Sequence, residues 1–123
     1  MEIEVVVGGW EHGCCGKAIT PGDAVSWDIW FYDGALRETH HVAEPGMTHV
    51  DGRVVGIEAR LEGGRSVQVT RVPSGRALNG FATDESATLV DAVTGEQLTE
   101  PAGGFRVRLQ VPDDSKLPDR SAA

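Results

Sequence analysis

Two doublets carry the residue types that could do chemistry in this chain. Cys14 and Cys15, the only cysteines, sit side by side in "GGWEHGCCGK" (Gly8 to Lys17) with His12 close by, and His40 and His41 sit side by side in "DGALRETHHVAEPGM" (Asp33 to Met47). Thiolate sulfur and imidazole nitrogen are the ligands zinc prefers. Four of them close a structural site, while three leave a position open for water. Cys14, Cys15, His40 and His41 supply that count, with His12 or His49 as substitutes. The spacing is not a standard one, because adjacent residues of an extended strand point to opposite faces, although Gly13 and Gly16 relax the backbone around the pair. One cysteine and one histidine from each doublet is a more comfortable set than all four.

Two other chemistries compete for the same residues. Cys14 or Cys15 beside His40 or His41 could form a thiolate nucleophile activated by an imidazolium, which would make the chain a small cysteine enzyme. Neighbouring carboxylates oppose this, since they raise a thiol's pKa and assist a bound cation instead. The electrostatics therefore rank metal above nucleophile. The third reading is a plain interaction domain: cysteine serves as a small apolar filler under Trp10 or Trp27, the histidines cap turns, and Trp30 or Trp10 meets a protein partner or a small ligand.

Charge favours cations. The chain of 123 residues has a net charge of -8. Residues 1 to 52 hold nine acidic and two basic side chains, so almost all of the imbalance falls in the half that contains both cysteines and all four histidines. Such a field repels phosphate backbones, which argues against nucleic acid as a partner and for cations or basic partners. No apolar run approaches the roughly 18 residues of a membrane span. The opening "MEIEVVV" lacks a basic n-region, so it reads as a first strand, a cytoplasmic address is expected, and its thiols would stay reduced. Nine arginines against two lysines suggest a GC-rich bacterial genome.

The elements that must position these residues are strands. "EIEVVV" and "AVSWDIWFY" alternate with period two, the second placing Val25, Trp27, Ile29 and Phe31 on a core face and Ser26, Asp28 and Trp30 on the other. "GRVVGIEARL" is read with Val55, Ile57, Ala59 and Leu61 on a shared side, turned by "EGGR" into "SVQVTRV". "ATLVDAV" and "FRVRLQV" add two strands, while "PSGRALNG", "TGEQLTEPAGG" and the stretch from Asp33 to Met47 read as irregular. No helix is expected. None of "GGW", "GRVVG" or "EGGR" has the spacing of a phosphate-binding loop. Residues 1–111 are expected to form one small all-β barrel of about six strands with long loops, and residues 112–123 a disordered or loosely attached tail.

Trp10, Cys14, Cys15, Gly16, then Gly22, Asp23, Val25 and Trp27, and later His40, His41, Gly52 and Val54, resemble the pattern of a family of small uncharacterised actinobacterial proteins known as a domain of unknown function. The resemblance covers about the first half of the chain and implies no activity. A second likeness is to SH3-like barrels, in which Gly-Asp-x-Val begins one strand and Gly-x-Val-x-x-Ile, here "GRVVGI", begins another. It implies that Gly22 allows a tight turn, that Asp23 hydrogen-bonds backbone within it, and that Val25 enters the core. The expectation is a metal-binding β-barrel module, zinc by its ligands, that mediates protein interaction.

Overall fold

In a computed structural model of the chain, which describes residues 1–8, 12, 16–39, 46–80 and 84–118, the period-two segments become strands whose inward residues meet in one core. β1 (Glu2–Val7) buries Ile3, Val5 and Val7 and turns Glu2 and Glu4 outward. β2 (Ala24–Tyr32) buries Ile29 completely, with Val25, Trp27 and Phe31 packed partly against the core. The turn before it is built as expected: both carboxylate oxygens of Asp23 accept from Thr20, one from its N–H at 2.8 Å and one from its hydroxyl at 2.9 Å.

β3 (Ala35–Thr39) corrects the reading of Asp33 to Met47 as irregular. Asp33 and Gly34 have φ of 50° and 78°, the left-handed pair of a two-residue hairpin turn, and they fold β3 antiparallel onto β2 with Phe31 opposite Leu36. Beyond Leu36 the strand offers little apolar signal, which is why its alternation is faint.

β4 (Thr48–Leu61) is the longest strand, and it corrects a face assignment. Its pairing with the last strand slips between Val54 and Gly56, so Val55 is an extra, bulged residue. Val54 is 1% exposed and Val55 42%, whereas Ile57, Ala59 and Leu61 are buried as expected. Gly63 and Gly64 then turn the chain into β5 (Ser66–Gln68), shorter than "SVQVTRV" implied.

The segment read as a turn at "PSGRALNG" contains a single helical turn, α1 (Gly75–Leu78), capped by the Ser74 hydroxyl, which accepts from the Ala77 N–H. β6 (Leu89–Val90) pairs with β7 (Gln97–Leu98) across a turn in which Asp91 Oδ1 accepts from the Val93 and Thr94 N–H groups. β8 (Ala102–Gln110) buries Phe105, Val107 and Leu109 and lies between β1 and β4. Leu117, beyond it, packs partly against the core.

Among the described residues five strands close a barrel in the order β2, β3, β1, β8, β4 and back to β2, with β5 added beside β4. Its neighbours are antiparallel with one exception. β1 and β3 run parallel, Val5 opposite Leu36 and Val6 opposite Arg37. No helix is long and apolar enough to cross a membrane among the described residues.

Candidate functional site

The parallel pair fixes the geometry of one end of the barrel. Strands that run side by side in the same direction release their next residues at the same end, about 5 Å apart. β1 ends at Val7 and β3 at Thr39, so the segments 9–15 and 40–45 begin from adjacent strands. Trp10, Cys14, Cys15, His40 and His41 lie outside the described residues.

The described residues at this end form a cleft of about 640 Å³ whose walls include Val7, His12, Lys17, Asp23, Trp27 and Glu38. His12 is 3% exposed, and its Nε2–H donates to the Pro73 carbonyl at 2.8 Å. A carbonyl can only accept, so in the neutral ring the lone pair belongs to Nδ1. Gly16, directly after the cysteines, lies against that edge. A Cβ at Gly16 would stand 2.0 Å from Nδ1, and the Gly16 N–H donates to the His12 carbonyl at 2.9 Å. Only glycine lets the chain pass so close to the imidazole.

A second constellation occupies the outer face of β2 and β4. Register pairs Ser26 with Asp51 and Asp28 with His49, which brings four polar side chains together on the solvent side. His49 Nδ1 lies 2.9 Å from Asp28 Oδ1, and its Nε2 lies 2.6 Å from Ser26 Oγ, while the Ser26 hydroxyl donates to Asp51 Oδ1 at 2.6 Å. Hydroxyl, imidazole and carboxylate in this order suggest a nucleophile relay, but the protons are arranged otherwise. The serine hydrogen is given to Asp51, so Oγ accepts from Nε2–H while Nδ1–H donates to Asp28. The ring then carries both protons. In that protonation state the cluster is a charge network, since an imidazolium cannot remove a proton from a nucleophile. The hydrogen bond that His49 gives to Asp28, followed by the charge of Asp51, raises the pKa of His49, and the Ser26 hydroxyl holds Asp51 below its ordinary value.

His49 was a substitute metal ligand by sequence, and here its two nitrogens diverge toward different partners on the outer face. Among the described residues no group of three or more histidine, cysteine, aspartate or glutamate side chains is disposed to hold a metal ion. Sequence reasoning placed Ser26 and Asp28 on one face but missed their partners. The signal was present as Ser-x-Asp and His-x-Asp, both at period two, and needed only the strand register to join them.

Further along the same face, the Trp30 and Tyr32 rings stack with centroids 5.0 Å apart and 7° between planes. Trp30 is half-buried and Tyr32 is 56% exposed. Across the strand pair, Arg37 donates from Nε to the Tyr32 carbonyl at 2.9 Å.

The sequence profile of a family of unknown function (DUF6578) matches residues 1–111. No curated protein and no solved structure matches the chain.

Proposed function

The chain belongs to this family of unknown function, and from its residues we propose that it is a metal-binding β-barrel module, with zinc held by cysteine and histidine ligands from the 9–15 and 40–45 segments and the outer face of β2 left to meet a protein partner. The parallel pairing of β1 with β3 carries this reading, because it starts the two Cys/His segments from neighbouring strands at one end of the barrel. We take Trp10, Cys14, Cys15, Gly16, His40 and His41 as the family's signature, and an actinobacterial, cytoplasmic setting with reduced thiols as its context.

The donor chemistry fits zinc. Metal-bound histidines characteristically donate their second ring N–H to a carbonyl or carboxylate, which fixes the tautomer and turns the other nitrogen's lone pair outward. His12 has the first half of that arrangement, with Nε2–H on the Pro73 carbonyl, but its Nδ1 lies against Gly16, so the doublet at His40 and His41 is left as the histidine source and His12 as the substitute. A closed set of four ligands would make the metal a structural clasp between the two segments.

Elemental analysis of the protein as purified is the test. Cys14→Ala and His41→Ala are each expected to lower the zinc content from about one equivalent and the melting temperature by more than about 4 °C, the shift of about 1 kcal/mol in a domain of this size. Unchanged metal content and unchanged melting in both variants would remove the proposal.

A further inference from the structure

Ser26, His49 and Asp28 stand in the order of a nucleophile relay, with the hydroxyl on Nε2 at 2.6 Å and the carboxylate on Nδ1 at 2.9 Å. We propose that, once His49 has given up one ring proton, this trio is a centre for acyl transfer in which Ser26 attacks small acyl esters, His49 is the general base and Asp28 positions the ring. The site is separate from the Cys/His segments and does not rest on the metal reading.

Proton placement decides the role. Nδ1–H is held by a carboxylate, the stronger bond, whereas Nε2–H faces a neutral hydroxyl, so Nε2 loses its proton first. A bare Nε2 and a serine lone pair repel at 2.6 Å, and the hydroxyl hydrogen turns from Asp51 to the ring. Asp51, with a side chain 77% exposed, is left to water. The ring meets Asp28 from β2, Asp51 from β4 with Arg53 two residues on, and from β3 Arg37, which stands opposite Trp30. The carboxylates are nearest, at 2.9 and 3.4 Å, and the hydrogen bond to Asp28, then the charge of Asp51, hold the imidazole above its ordinary pKa. The relay therefore forms on the alkaline side of that raised value.

The backbone offers a donor for the oxyanion. The Val54 N–H donates to the Asp23 carbonyl at 2.9 Å, which makes Ala24 and Arg53, and two residues on Ser26 and Asp51, pairs with no mutual backbone bond. The Ser26 N–H thus points away from β4, to the side where pairing with β3 starts only at Asp28; among the described residues no strand takes it there. A nucleophile's own N–H is one of the two oxyanion donors of a serine triad. Ser26 also lines the cleft of about 640 Å³, beside Val25 and Trp27, where an apolar acyl group has room. In the reaction Oγ bonds to the acyl carbon as its proton passes to Nε2. Collapse of the tetrahedral oxyanion breaks the ester C–O bond, and Nε2–H returns the proton to the departing alkoxide. Water, deprotonated by Nε2, then releases the acid and restores the hydroxyl.

The test treats the chelator-washed full chain with p-nitrophenyl acetate between about pH 6 and about pH 9, and reads acetyl-Ser26 by mass spectrometry of acid-quenched samples. Acetylation is expected at Ser26, at a rate that climbs through the raised value of His49 and then levels off. His49→Ala should lower the plateau at least about tenfold, and Ser26→Ala should remove this acetyl site. Asp28→Asn should lower the plateau about tenfold and move the midpoint toward acid, a shift that a merely structural role would not produce. Asp51→Ala should move the midpoint the same way and keep the plateau within about threefold. Acetyl confined to Lys17 or Lys116, a rate without a midpoint, or a plateau lost with Asp51 and kept without Asp28 would overturn the proposal. So would ester turnover that is lost in Cys14→Ala and kept in Ser26→Ala, since a metal-bound water would then be the nucleophile. Should Ser26→Ala fail to fold, the position of the acetyl group in the wild-type peptide decides the same question.

Discussion

Val54 and Val55 offer a comparison in which the residue type, the substitution and the strand are all held constant. Val54 is 1% exposed and opposite Leu109, whereas Val55 is the bulged residue and 42% exposed. Val54→Ala removes two methyl equivalents from a closed core. At about 0.8 kcal/mol for each, the lost transfer energy is about 1.6 kcal/mol. A partly collapsed cavity adds about 1 kcal/mol, for a total near 2.5 kcal/mol. Val55→Ala removes the same atoms from half-solvated surface and is expected to cost about 0.5 kcal/mol. The loss of strand propensity is common to both and cancels in the difference, which is about 2 kcal/mol. Urea unfolding followed by circular dichroism reads it directly: with a slope of about 2 kcal/mol per M, the two midpoints should stand about 1 M apart, Val54→Ala being the lower. Equal midpoints, or a lower one for Val55→Ala, would mean that the bulge lies elsewhere and that the face assignment of half of β4 is reversed.

Gly34→Ala places a side chain at φ of 78° in the turn that creates β3, and should cost about 1 kcal/mol and lower the melting temperature by about 4 °C. An unchanged melting temperature would refute the hairpin geometry at Asp33 and Gly34. His49 provides a pH dependence. Its pKa is raised, first by the hydrogen bond to Asp28, so its protonated form stabilises the fold fully below the ordinary imidazole value, and that contribution is lost as pH climbs through the raised value. The stability difference between wild type and His49→Ala should therefore shrink as the medium becomes alkaline, and an NMR titration should place His49 above a free imidazole. Asp51, held low mainly by Ser26, behaves in the opposite sense: its contribution is present above the ordinary carboxylate range and fades in acid. A His49 that titrates at or below the ordinary value would refute the doubly protonated network.

Where alternation was strong the sequence was legible. β1 and β2 follow from Ile3, Val5, Val7 and from Val25, Trp27, Ile29, Phe31, and the Asp23 turn from the short side chain before the strand. β3 was not, because Leu36 is its one large apolar residue between Ala35 and the polar run Arg37, Glu38, Thr39; the Asp-Gly turn ahead of it was the available signal. The bulge was hidden for a different reason. Two successive valines fit either register, and a slip of one residue exchanges the faces, so alternation counted back from Leu61 put Val55 inside. At the candidate site the ligand types were evident from Cys14, Cys15, His40 and His41, while the pairing of Val5 with Leu36 that brings their segments to one end depends on tertiary structure. The cluster of Ser26, Asp28, His49 and Asp51 was out of reach for the same reason, since it exists only through the register of β2 on β4.

The position of β8 bears on how the molecule is made. Among the described residues it is the last strand, and yet it sits in the middle of the wall, with β1 on one side and β4 on the other. During synthesis, β1 and β4 must wait with an edge unsatisfied until residues past Gln110 have left the ribosome, so the barrel cannot close in vectorial steps. Arrested nascent chains that stop short of Gly104 should therefore remain protease-sensitive along their whole length and depend on holding chaperones, and a few further residues should convert them together to a resistant state.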